Sequence, residues 1–350
     1  MKLAEHANSL VTNVQGDVQN FGIGNASVVI DILRKRMYGK PKQTLVQEYI
    51  CNARDAMREV GKGNDFEVTV PTHLNPVFKV RDFGPGISPD RMSNVFILYG
   101  ASTKRDSNTQ TGGFGIGAKS AWAYTDSFTI VTIVDGLKRS YVAHTGVDNN
   151  GRLDLVSTEP TTEKNGTEIQ VAVQRHDVRE FRDAVLRAIY FWEHKPKLRG
   201  EVDAPTLVKG FNIGNALEVI KAELIPNYID ESAYSSDGSP IAVIDGVPYA
   251  IGESLLKHCP VLKKLCDFVR LKPIFHLGNG VVDVSASREA IADSPKTKEA
   301  LEKLANKTFM EVRTHIGDQF KGVKSPGEYI ARYKTLNSAF NVEKGFAEYK

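Results

Sequence analysis

Along the chain, apolar residues recur with a helical period in some stretches and alternate in others. A first helix is expected over residues 26–38, stopped by Gly39 and Pro41, and a second over 44–60, stopped by Gly61 and Gly63. Residues 66–70 and 77–82 alternate as strands. Residues 83–118 are loop-rich, with a short helix near 89–98, and residues 118–125 are helical. Strands at 127–134 and 139–144 flank Asp135-Gly136, a hairpin-type turn, and a further strand covers 166–173. Residues 177–194 form an amphipathic helix, and the polar stretch 196–205, with two prolines and a glycine, serves as a linker. Beyond it, helices alternate with strands at 241–244 and 281–285 and end in long charged helices. The segments FGIGNASVVIDIL from Phe21 and FNIGNALEVIKAEL from Phe211 echo each other, each as a Gly/Asn turn feeding a helix.

Intermixed strands, hairpins and helices indicate an α+β fold rather than a strict βαβ series. The 350 residues suffice for about two domains with proper cores. With 41% hydrophobic and 25% charged residues, the composition is that of a globular protein. No run of about 18 apolar residues offers a membrane span, and residues 1–22 form a polar leader without a signal-type apolar core. Cys51, Cys259 and Cys266 make no disulfide framework and no C-x-x-C pair, so a reducing cytoplasm is expected. The eight histidines show no metal-ligand spacing. A net charge of +3, from 45 basic and 42 acidic residues, does not indicate a nucleic-acid partner.

The segment LVQEYICNARDAM carries the first chemistry. At about 100° per residue, Val46, Ile50, Ala53 and Met57 fall on one face, and Glu48, Asn52 and Asp55 cluster on the other. Two carboxylates and an amide on a rigid helix suit a hard metal ion and a positioned water. An ordinary solvated face is the plain alternative.

Two glycine motifs follow. The strand over 77–82 delivers Asp82 to Phe83-Gly84-Pro85-Gly86, where the backbone can approach something flat and Asp82 can accept from an exocyclic amine. TGGFGIGAKSAWAY places Gly112, Gly113, Gly115 and Gly117 before a helix, a phosphate-cradle arrangement. There is no G-x-x-x-x-G-K-[ST], so it is not a P-loop, and Gly22-x-Gly24-x-x-Ser27 lacks the third glycine of a dinucleotide fingerprint. Ala101-Ser102-Thr103-Lys104 adds a cation to a polar, lid-like loop over 100–117.

Glu48-x3-Asn52-x2-Asp55, Asp82-x-Gly84-x-Gly86, Gly113-x-Gly115-x-Gly117 and Asn165-Gly166-Thr167 together resemble, in order and spacing, the four motifs of the GHKL ATPases. That superfamily includes gyrase B, the ninety-kilodalton heat-shock chaperones, sensor histidine kinases and MutL. The resemblance implies a Bergerat-type ATPase α/β sandwich, a mixed sheet with helices on one face, binding ATP and Mg2+. In its terms Glu48 is the general base, Asn52 the magnesium ligand, and Asp55 a support of the adenine pocket. Asp82 is the adenine N6 acceptor, backed by Thr167, and Gly84 and Gly86 shape the pocket. Gly113, Gly115 and Gly117 form the phosphate loop, and Lys104 resembles the chaperone lid lysine. Lys119 is given no counterpart.

Downstream, Val284-Ser285-Ala286-Ser287-Arg288-Glu289 resembles the Ser-Arg-Glu segment of the chaperone middle domain, which implies that Arg288 senses the γ-phosphate. This argues against a sensor kinase, for which no phosphoacceptor hairpin fits residues 1–25. The resemblance divides the chain into a leader at 1–22 (a possible dimer arm), an ATP-binding domain at 23–195, and a transducer-like α/β domain with C-terminal helices at 206–350. A closer likeness, over most of residues 20–300, is to the rIIA-type bacteriophage proteins, of whose long members this chain is shorter. The implied function is an ATP-hydrolysing switch, homodimeric when ATP is bound. The alternatives are a nucleotide-gated module for a host or membrane-associated partner, and a subunit of a topoisomerase or mismatch-repair machine.

Overall fold

The structure is a computed structural model that describes Ile32 and residues 37–96, 117–145, 151–229 and 240–342. The expected helix over 26–38 lies outside the described residues apart from Ile32 and the last two positions, and so does the Phe21 segment. The fold is α+β, in two compact units. The first contains Met1–Arg182 and Pro196–Val202, the second Asp183–Lys195 and Asp203–Lys350. Among the described residues no helix is long and apolar enough to cross a membrane.

The first unit is built on a seven-stranded mixed sheet. Its strands are β1 (Glu67–Thr69), β2 (Val77–Arg81), β3 (Ser127–Val134), β4 (Leu137–Thr145), β5 (Gly151–Pro160), β6 (Gly166–Ala172) and β7 (Lys197–Arg199), in the spatial order β5-β4-β3-β6-β2-β1-β7. All neighbours are antiparallel except β1 and β7, which are parallel. Helix α1 (Pro41–Glu59) begins with Pro41 as a first-turn residue. A proline read as a stop signal is here a start signal, because the first turn has no use for its missing N–H. Leu45, Val46, Ile50 and Met57 are fully buried, as are Phe78, Ile130 and Val171 of the sheet. The Asp135-Gly136 turn has φ of 51° and 74°, both positive, as a two-residue hairpin requires. It sets the Val134↔Leu137 register.

In this unit two elements depart from expectation. Strand β5 was not anticipated, because it is exposed on both faces and carries no alternation for a pattern to reveal. Lys197–Arg199, inside the expected linker, joins the sheet edge, with Arg199 bonding Glu67 at 2.6 and 2.7 Å. A short polar strand on an edge looks like a linker in sequence.

The second unit holds β8 (Phe211–Ile213), β9 (Leu217–Ile220), β10 (Ile241–Ile244), β11 (Val247–Ala250) and β12 (Lys272–Leu277), ordered β11-β10-β12-β9-β8. Helix α2 (Val178–Ile189) begins in the first unit and ends in the second. The others are α3 (Glu253–His258), α4 (Pro260–Phe268), α5 (Pro295–Phe320) and α6 (Pro326–Ala339). Tyr190 packs with Ile220, Ile225, Ile229, Ile241, Val243 and Ile274, which is why residues 183–195 belong to this unit. The FNIGNALEVI segment is a hairpin, not a turn feeding a helix: Gly214 at φ 60° turns β8 back onto β9. The strand expected over 281–285 is reduced to a single bridge, Val284 to Ile291. Ser294 and Ser325 cap α5 and α6 by accepting from Thr297 N (3.1 Å) and Glu328 N (3.2 Å).

Candidate functional site

Helix α1 carries the polar stripe. Val46, Ile50, Ala53 and Met57 are buried, as an inward face should be. The opposite face is buried too: Glu48 is 3% exposed, Asp55 0%, and Asn52 is half-buried between them. An ordinary solvated face is therefore excluded. Charges enter an interior only at a cost that specific partners must offset, so this burial marks a built environment. Arg58 lies 3.7 Å from Asp55.

Turns press on the stripe at both ends. Gly117 opens a short 3-10 helix (Gly117–Ala123) and lies against Glu48, where a β-carbon would overlap the carboxylate. Tyr49 fixes this turn by donating to the Ala118 carbonyl at 3.1 Å. Burial holds the Tyr49 phenol well above its ordinary range. At the other end, a β-carbon on Gly84 would sit 2.8 Å from the Ala56 side chain and carbonyl, so only glycine lets that turn come so close. Glu48 and Ala56 are eight residues apart, or about 12 Å along the helix.

Asp82 follows the end of β2, buried beside β6. Its Oδ1 accepts from Gly84 N (3.0 Å) and Thr167 N (3.1 Å), and its own N–H donates to Thr167 O (2.9 Å). Among the described residues, both hydrogen bonds to the carboxylate go to Oδ1, which leaves Oδ2 able to accept another. Burial raises the Asp82 carboxyl to about 6, against the pull of these two N–H donors. Gly86 has φ 76°, and a β-carbon there would overlap the Ile133 carbonyl.

Sequence reasoning passed over Thr132. It is fully buried in β3 opposite Thr167; its hydroxyl accepts from Ile87 N (2.7 Å) and donates to Ile87 O (3.2 Å), so it pins the Gly84–Ile87 turn. A hydroxyl in the apolar run Ile130-Val131-Thr132-Ile133 was the available signal. Lys119, left without a role, is 6% exposed, and desolvation lowers its ammonium to about 8.

The structure thus gathers Glu48, Asn52, Asp55, Asp82, Gly84, Gly86, Gly117 and Thr167 around α1 and the neighbouring strand ends. Lys104, Gly113 and Gly115 lie outside the described residues. Arg288 belongs to the second unit, buried in the loop closed by the Val284–Ile291 bridge, with φ 56°. Its N–H donates to Ser285 O and Ser285 N–H to Ala290 O, each at 2.9 Å. A bulky residue in the left-handed region is strained, and such strain clusters at functional positions. Among the described residues no group of three or more His, Cys, Asp or Glu forms a metal cage. Asn52 offers an amide oxygen, which suits a magnesium ion that takes most of its ligands from phosphate and water. No protein-family model matches this chain, and no curated protein matches its sequence.

Proposed function

We propose that the first unit is a Bergerat-type nucleotide site and that the protein is a magnesium-dependent, ATP-hydrolysing switch of the GHKL type. The observation that carries this reading is the buried polar face of α1, closed at one end by Gly117 on Glu48 and at the other by Gly84 on Ala56. A nucleoside triphosphate laid along that face puts its base at Asp82 and its phosphates at Glu48. Asp82 Oδ2 accepts from the adenine amine, while Thr167 N and Gly84 N hold Oδ1. Glu48 orients the attacking water and takes its proton. A magnesium ion held by Asn52 would neutralise phosphate charge. In the second unit Arg288 serves as the γ-phosphate sensor, and ATP favours a closed dimer because the γ-phosphate binds that state better.

Two variants test the roles. Glu48→Ala should retain ATP binding by calorimetry while turnover falls by roughly 10²–10⁴. Asp82→Asn should abolish binding, since the amide nitrogen repels the adenine amine. Parent protein that gives no heat with ATP and magnesium defeats the whole reading. Binding without measurable phosphate release by the parent would instead favour a nucleotide-gated interaction module.

A further inference from the structure

Strand β5 forms one outer edge of the seven-stranded sheet, paired only with β4 among the described residues. It is ten residues long, and Leu155 and Val156 at its middle are 54% and 65% exposed. An edge of this kind presents a row of N–H and C=O groups that another strand can pair with, and proteins usually blunt it. The other edges here are blunted. Strand β7 has three residues, two of them Lys197 and Arg199; β8 has three; and β11 has four, one of them Pro248, which has no N–H to offer. Strand β5 has charges towards its ends and a bulge at its middle, but it is the longest of these edges and places exposed aliphatic residues at its centre.

We propose that β5 is a homotypic docking strand, along which two copies of this chain pair antiparallel about a two-fold axis between Leu155 and Val156. The argument for a second copy is self-complementarity. In that register Arg152 faces Glu159, Leu153 faces Thr158, Asp154 faces Ser157 and Leu155 faces Val156. Both ends carry an opposite-charge pair and no like charges meet. Asp154 is held within its own protomer by His144, at 2.8 Å. A slip that centres the axis on Leu155 puts Asp154 against Val156 and breaks both charge pairs; one that centres it on Val156 puts Arg152 against Pro160. The register shift against β4, where Ser140 faces Ser157 but Tyr141 faces Leu155, leaves Val156 as the extra residue. This bulge therefore adjoins the axis and is shared symmetrically, as an isologous contact requires.

Sedimentation of the full chain without nucleotide tests this. The parent should show a concentration-dependent dimer. Leu155→Lys with Val156→Lys should weaken it about a hundredfold. Arg152→Glu and Glu159→Arg should each weaken self-association about tenfold, and an equimolar mixture of the two should recover it, because each protein then meets an opposite charge at both ends. Circular dichroism checks that these exposed positions tolerate the changes. A parent that stays monomeric, a dimer indifferent to the double lysine variant, or a mixture no tighter than its components would each overturn the proposal. None of these outcomes depends on nucleotide binding.

Discussion

Helices α1 and α5 look alike in sequence, each with an apolar stripe and polar residues around the rest. In the structure they differ. Helix α5 buries Thr297, Leu301, Ala305, Thr308, Val312 and Ile316, one stripe at steps of three and four, and fully buries none of its charged residues. Helix α1 buries nearly every position from Thr44 to Asp55, including Glu48, Arg54 and Asp55. The apolar stripe holds each helix in place. Only on α1 are carboxylates also taken out of water, and that costs stability unless the surroundings are arranged for them. The contrast separates a structural helix from the one that carries the candidate site.

The largest expected effect tests what the helices share. Ile50→Ala and Leu301→Ala should each cost about 2–5 kcal/mol of their own unit's stability, measured by urea unfolding. Unequal costs far outside that range would mean that the two stripes are not equivalent anchors. Next comes pH. Asp82 titrates near 6 in the fold and near 3.8 unfolded, so the folded state binds the extra proton. Stability from this group is therefore greatest at low pH and falls as pH rises from about 4 to 6, by up to about 3 kcal/mol. Asp82→Asn should flatten that slope; an unchanged slope would remove Asp82 as its source. The smaller effects probe the polar faces. Asp55→Ala should cost about 1–3 kcal/mol by stranding the buried groups around it. Lys303→Ala on the outer face of α5 should change stability by less than about 0.5 kcal/mol. Similar values for the two would erase the contrast.

Much of this was legible in the sequence. The core stripe of α1, the strands β2, β3, β4, β6 and β10, and the Asp135-Gly136 hairpin each rest on a local signal, whether period, β-branching or a turn pair. What stayed hidden was exposed or non-local. Strand β5 has no buried face to set an alternation. Strand β7 owes its existence to β1, about 130 positions earlier in the chain. The second Gly/Asn turn joined two strands because Leu217, Val219 and Ile220 found places in a sheet core, which outweighed any helical preference.

The sequence by itself determined which residues could do chemistry and on which element each one sits, because spacing along a helix or strand fixes a side chain's direction. It put Glu48, Asn52 and Asp55 on one face and Asp82 next to glycines. Tertiary structure alone decided that this face is buried, that Gly117 abuts Glu48, and that Thr167 and Thr132 brace the Asp82 turn. Those facts depend on groups tens of residues apart sharing a few ångströms of space, and desolvation and close packing act through that distance and not through separation along the chain.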